Sequence, residues 1–298
     1  VKIWDYLRCK CVSTIDLSSI LELQKGPTYS SLTGCKTITS SSFAPSTAQS
    51  MGKYAYIYCI VNQQHIIAIN TNNKTIKPII YNVARRNDVD GNPESLQNLA
   101  VTQDGRYLAA VLQREVIIIH LTFNTNDDDV CELDSNLQLI SYTTRGWKLS
   151  PCLAFHPNNE CIAFGDTRGA IDLWHDFVSL FPVASNLNLS FLKTTNNNPS
   201  SSDHQTWHSV DEWLQNKDSS NQTASKSDSK KHKKHKKRGS KKCDGTIEHQ
   251  YLIKRIHWHA HMISSISFTT DGAYMLSGGE ESVLVLTQLE TQRHQFLP

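Results

Sequence analysis

From Trp258 to Glu290 the chain reads WHAHMISSISFTTDGAYMLSGGEESVLVLTQLE, and this stretch constrains the fold more than any other. An apolar strand from Ile263 to Phe268 meets a tight turn at Asp271-Gly272. A second strand leads into Ser277-Gly278-Gly279, and a third alternates from Val283 to Leu289. Asp-Gly suits a hairpin turn that needs positive φ, and short β-rich runs between such turns are strand signals. A small antiparallel sheet of this kind cannot bury both of its faces alone, so one copy implies others beside it.

The template recurs upstream. Pro151 to Trp174 (PCLAFHPNNECIAFGDTRGAIDLW) has a strand ending at Phe155, a turn at Asn158-Asn159, bends at Gly165 and Gly169, and a closing IDLW. Leu99 to His120 (LAVTQDGRYLAAVLQREVIIIH) turns at Asp104-Gly105 and ends on Val116–His120. The spacing from Val101 to His120, Phe155 to Trp174 and Phe268 to Thr287 is identical. A looser copy covers Ile38 to about Asn70, with YAYIYCIV and HIIAIN as strands. The opening Val1-Lys2-Ile3-Trp4-Asp5 reads as the closing WD dipeptide of a blade whose beginning is missing. The fold predicted is therefore all-β: a WD-repeat β-propeller, present as a partial ring of antiparallel blades and expected to be a piece of a longer protein. The side-chain network of such repeats is only partly kept. Trp4, Asp5, Trp174, His259 and Ser277 fall at structural positions, Glu281 replaces the usual Asp, and Thr287 replaces the usual Trp.

Distances between copies locate the interruptions. His120 and Trp174 lie 54 residues apart, against a period of about 40–45, and the polar loop Asn124–Asp134 accounts for the excess. Trp174 to Thr287 spans 113 residues. The surplus matches a stretch rich in Asn, Ser, Lys and His, whose low hydrophobicity cannot repay ordering entropy. The organisation predicted is blades over 1–177, a low-complexity basic disordered insertion between blades over 178–249, and a further blade over 250–298. Within the insertion, Thr206–Asn216 places Trp207, Val210 and Leu214 on one helical face, with Ser209 and Glu212 at capping-box spacing. Two readings stand, a docking helix and a transient turn.

The net charge of +2 hides an asymmetry. Nine of the 30 basic residues lie in KKHKKHKKRGSKK: Lys230, Lys231, Lys233, Lys234, Lys236, Lys237, Arg238, Lys241 and Lys242. That leaves 21 against 28 acidic residues elsewhere, a formal −7. The block reads as a nuclear or nucleolar address or a nucleic-acid contact, against a plain solvated tether.

The remaining candidates favour packing over chemistry. Eight cysteines, Cys9, Cys11, Cys35, Cys59, Cys131, Cys152, Cys161 and Cys243, lack framework spacing, which points to a reducing, intracellular setting. His257, His259 and His261 alternate as a strand-face metal site would, but no Cys or carboxylate completes the set. Asp127-Asp128-Asp129 lacks the glycine and alternate ligands of a calcium loop. No catalytic motif or cofactor cradle is present, and no apolar run approaches the ~20 residues of a membrane-spanning helix.

The segments LAFHPNNECIAFGDTRGAIDLW and HWHAHMISSISFTTDGAYMLSGGEESVLVLTQLETQRHQFLP closely resemble the first propeller of the WD repeat-containing protein 75 (Nan1) family, above all in SGGEESVLVL, QLET and QFLP. The likeness is strongest over Pro151–Trp174 and Ile256–Pro298, moderate over Cys35–Leu121, and absent from the insertion. It implies a non-enzymatic scaffold without cofactor, in the nucleus and nucleolus. The implied partners are other small-subunit processome proteins, the 5′ external transcribed spacer of pre-ribosomal RNA and a small nucleolar ribonucleoprotein, with a link to RNA polymerase I transcription. Departures are Thr287, the large insertion, and the second propeller and C-terminal region that the family carries. A rival reading is a propeller adaptor such as a ubiquitin-ligase substrate receptor.

Overall fold

The computed structural model describes residues 2–5, 10–14, 38–43, 56–70, 74–80, 82–88, 91–125, 131–134, 137–144, 147–181, 204–207, 209–215 and 253–297. An antiparallel hairpin of β1 (Lys2–Asp5) and β2 (Lys10–Thr14) comes first. Blade 1 is a meander of β3 (Ile38–Phe43), β4 (Tyr56–Val61), β5 (His65–Asn70) and β6 (Ile76–Ile80). Blade 2 follows with β7 (Asn98–Val101), β8 (Tyr107–Val111) and β9 (Glu115–His120). A hairpin of β10 (Phe123–Thr125) and β11 (Cys131–Leu133) precedes its fourth strand, β12 (Gln138–Thr143).

Blade 3 begins with β13 (Leu149–Phe155), β14 (Cys161–Asp166) and β15 (Ala170–His175). The chain then forms β16 (His204–Trp207) and the helix α1 (Val210–Gln215) before returning as β17 (Ile253–His257), which closes blade 3 against β15. Blade 4 is β18 (Ile263–Phe268), β19 (Tyr274–Gly279), β20 (Leu284–Gln288) and β21 (His294–Leu297). The described chain is thus an all-β array of propeller blades, as the repeat pattern predicts.

Period-2 alternation explains how the blades stack. All six residues of β5 are buried. Ile66 and Ala68 join the core shared with blade 2, while Ile67 and Ile69 join a cluster on the opposite face. In β14, also wholly buried, Ile162 and Phe164 face blade 2 whereas Cys161 and Ala163 face blade 4. Successive side chains point to opposite faces, so a strand covered on both sides reads as a continuous apolar run. Each buried Ile or Phe contributes about 1.5–3 kcal/mol.

Three expectations need correction. The long insertion lies within blade 3, between its third and fourth strands, and not between blades. The β10–β11 hairpin occupies the same step in blade 2, so the blade meander continues around both additions. Secondly, the equal sequence spacing hides a difference in register. Phe155 pairs with Ile162 and Ile162 with Trp174, and Phe268, Met275 and Thr287 form the matching row. In blade 2 the row runs from Val101 through Leu108 to Ile119, not to His120. The turn between β8 and β9 is one residue shorter there, because Val111 pairs with Val116.

The third correction concerns the stretch 178–249, parts of which belong to the folded body. Phe181 is buried beside Phe177 between blades 2 and 3. β16 pairs with β12 as a fifth strand of blade 2, with Leu139 opposite Trp207 and Tyr142 opposite His204.

Candidate interaction site

The meander places the turn between second and third strands, and the connection from one blade to the next, at one end of every blade. Buried polar groups gather at this end. In blade 4, His259 comes from the connection, Ser277 from β19 and Glu281 from the β19–β20 turn. His259 is 2% exposed, its Nδ1 contacts Glu281 Oε1, and its Nε2 lies 2.8 Å from Ser277 Oγ. Burial opposes ionisation of Glu281, yet its own backbone hydrogen bond and the contact with His259 hold its carboxyl below the usual range. Thr287, in the row that carries Trp174 in blade 3, is buried as well.

Blade 3 uses a different set. Arg255 on β17 bonds Asp166 at 2.7 Å through Nη2 and Asp172 at 3.0 Å through Nε. Its guanidinium lies 4.1 Å from the centre of the Trp147 ring. One cation serves two buried carboxylates, and burial pushes the Asp172 carboxyl up to about 6 despite Arg255, with Asp166 adding to the rise. In blade 1, His65 Nδ1 accepts the Asn82 backbone N–H at 3.0 Å. Burial lowers His65 to about 4, consistent with a ring nitrogen whose lone pair is already used.

Close backbone approach welds blade 3 to blade 4. A side chain at Gly169, where φ is +89°, would strike the carbonyl of His259. On the opposite end, His156 Nε2 sits 3.1 Å from the carbonyl of Gly272 in the blade 4 turn. These contacts leave little freedom between the two sheets.

The junction of blades 1 and 2 holds the most elaborate group. Arg86, in the connection, and Glu115, first residue of β9, form a salt bridge of 2.9 Å with both side chains 3% exposed. Arriving from the insertion, α1 is preceded by Ser209, whose Oγ accepts the Glu212 N–H at 3.2 Å and caps the first turn. Its inner face carries Val210, Trp213 and Leu214. Trp213 is fully buried, donates its indole N–H to Glu115 Oε1 at 3.1 Å, and lies under the Arg86 guanidinium at 3.7 Å from the ring centre.

Of the residues singled out in the sequence, Trp174, His259, Ser277 and Glu281 are structural parts of blades 3 and 4. Trp4 and Asp5 lie on β1, where Trp4 pairs with Cys11; their side chains are outside the described residues. Lys230 through Lys242 are outside them too. The alternating histidines do not converge: His257 Nε2 approaches the Arg168 carbonyl at 3.0 Å, His261 is exposed, and both His259 ring nitrogens are engaged. The docking-helix reading holds for 210–215, with Trp213 as its anchor, whereas Trp207 belongs to β16. Sequence reasoning missed Trp213, Arg86 and Glu115. The available signal was a second Trp in a polar segment, three residues after an apolar position.

No known family's sequence profile matches the chain. A stretch of 43 residues is 54% identical to U3 small nucleolar RNA-associated protein 17 of Schizosaccharomyces pombe, covering 14% of this chain and 5% of that protein. A stretch of 46 residues is 52% identical to NET1-associated nuclear protein 1 of Saccharomyces cerevisiae, covering 15% of this chain and 5% of that protein. The matched part of the chain therefore spans only a small fraction of these relatives. Among solved structures, the β-propeller domain of Myceliophteria thermophila Cps50 (Swd1) superposes with a TM-score of 0.46 at 8% identity, over 99% of this chain and 63% of that one. A chain of the mitotic checkpoint complex gives 0.42 at 10% identity, over 81% and 47%.

Proposed function

We infer that the chain is a non-enzymatic scaffold of ribosome biogenesis that holds protein neighbours and pre-ribosomal RNA in the small-subunit processome of the nucleolus. The observation that carries this reading is the stretch 54% identical to a U3 small nucleolar RNA-associated protein. The blade geometry agrees with it. Three separate pairs, His259–Glu281, Arg255–Asp166 and Arg86–Glu115, brace the polar end of the array from within. An exposed aromatic group adds a contact face on blade 4, where Trp258 stacks on His294 at 3.8 Å beside Phe296. Aromatic groups of this kind anchor protein interfaces.

The labour divides by charge. The rest of the chain is formally −7, so sequence-independent RNA affinity comes from Lys230–Lys242, which also serves as the nuclear address. Blade surfaces provide specific placement through protein contacts. RNA binding measured across a salt series, with and without replacement of the nine Lys and Arg by Gln, tests this division. For a single strand, log K falls with log salt by about 0.7 per neutralised phosphate. The replacement is expected to remove most of the affinity and most of that slope. Unchanged affinity and slope would contradict the assignment.

A further inference from the structure

Residues 204–215 take a route that no four-stranded blade requires. The chain passes Phe181 at the blade 2–blade 3 boundary and rejoins blade 3 at Ile253, yet between them it crosses to blade 2 and reaches the core shared with blade 1. The contact has two parts. β16 hydrogen-bonds to β12, whose outer edge an extended peptide could equally pair with. Beyond it, Trp213 fills a slot that presents an acceptor, Glu115 Oε1, to the indole N–H and a flat guanidinium, Arg86, to the ring face.

We propose that β12 and the Arg86–Glu115 slot form a peptide-docking site, occupied in cis by residues 204–215. Its ligand class is an extended segment followed closely by a short, Ser-capped helix bearing one tryptophan. The slot specifies that residue. A Phe or Leu would fill apolar volume but cannot donate to Glu115 Oε1 as the indole does, and a site built around a hydrogen bond rejects analogues that lack it. The cation over the ring favours Trp further. Tethering gives the cis segment a high effective concentration, so the site is filled in the resting chain and takes a peptide of the same chemistry once that segment is withdrawn.

The experiment uses the whole chain, Trp213→Phe and Trp213→Ala variants, and a synthetic peptide of residues 204–215. Amide hydrogen exchange is followed on β12 (Gln138–Thr143), with β14 as internal reference. In the unaltered chain, β12 is protected and added peptide does not bind. Either variant accelerates exchange on β12 by about tenfold or more, the factor expected for one lost hydrogen bond to a charged group, and leaves β14 unchanged. Added peptide restores the protection; the same peptide with Phe in place of Trp213, and Trp207 kept, does not. Trp213→Phe preserves the packing and serves if Trp213→Ala loses its fold. Unchanged exchange on β12 in the Phe variant would overturn the proposal. So would failure of the peptide to restore protection, or equal binding of the Trp and Phe peptides.

Discussion

Trp213 and Glu115 are 98 positions apart in the chain, yet the indole N–H of one donates to the carboxylate of the other at 3.1 Å. Glu115 also accepts from Arg86, so its two oxygens are bound by partners from two different segments. The trio closes the core between blades 1 and 2 around the Glu115 carboxylate, which accepts from both other members.

Removing the indole should therefore cost more than its apolar area alone. Trp213→Ala is expected to destabilise the chain by about 3–5 kcal/mol. Trp213→Phe should cost about 1–3 kcal/mol, chiefly the desolvated oxygen of Glu115. Urea midpoints of the two variants check both values, and a Phe variant as stable as the parent would show that the hydrogen bond contributes nothing.

The ion pair beneath it should show the asymmetry of buried charges. Arg86→Met alone removes the buried cation paired with Glu115, at a cost of about 3–5 kcal/mol. Adding Glu115→Leu should recover part of that loss, since an apolar pair needs no counter-ion. A double-mutant cycle on unfolding free energies measures the coupling; strict additivity would contradict the account.

His65 sets a pH dependence of known direction. The folded chain keeps it neutral down to about 4, whereas the unfolded chain protonates it near the ordinary value of 6.5. Between those limits the unfolded state binds more protons, so stability present above pH 6.5 is lost as pH falls to 4. The slope is at most about 1.4 kcal/mol per pH unit for one group. Asp172, raised to about 6, works the other way, because its folded carboxyl keeps a proton that the unfolded one releases. Comparing the parent with His65→Gln isolates the histidine: the variant should lose less stability over this window.

Gly169→Ala should loosen blade 3 from blade 4. The position combines φ of +89° with a collision against the His259 carbonyl. Backbone strain of this kind costs about 1–3 kcal/mol. Hydrogen exchange in β18 and thermal unfolding provide the check, and an Ala variant of parental stability would show that the two blades can shift apart freely.

Much of this fold was legible in the sequence, because turn chemistry and period-2 alternation are local. Asp104-Gly105, Asn158-Asn159 and Asp271-Gly272 announce hairpins, and the strands around them fall where expected. Register was less legible: a one-residue difference in the β8–β9 turn puts Ile119, not His120, in the row of Trp174. The blade 1–blade 2 cluster was hidden for another reason. Arg86, Glu115 and Trp213 are far apart in sequence, and each alone reads as an ordinary surface residue. Composition marked 178–249 as one polar block, although a capped turn with three apolar residues suffices to dock.

Co-purification tests the central claim most directly. The tagged full protein, recovered from nuclear extract with and without ribonuclease, is examined for RNA by sequencing and for protein by mass spectrometry. The account predicts 5′ pre-ribosomal RNA in the untreated sample and processome proteins that persist after ribonuclease, since blade contacts hold them. Recovery of a ubiquitin ligase without pre-ribosomal RNA would contradict it.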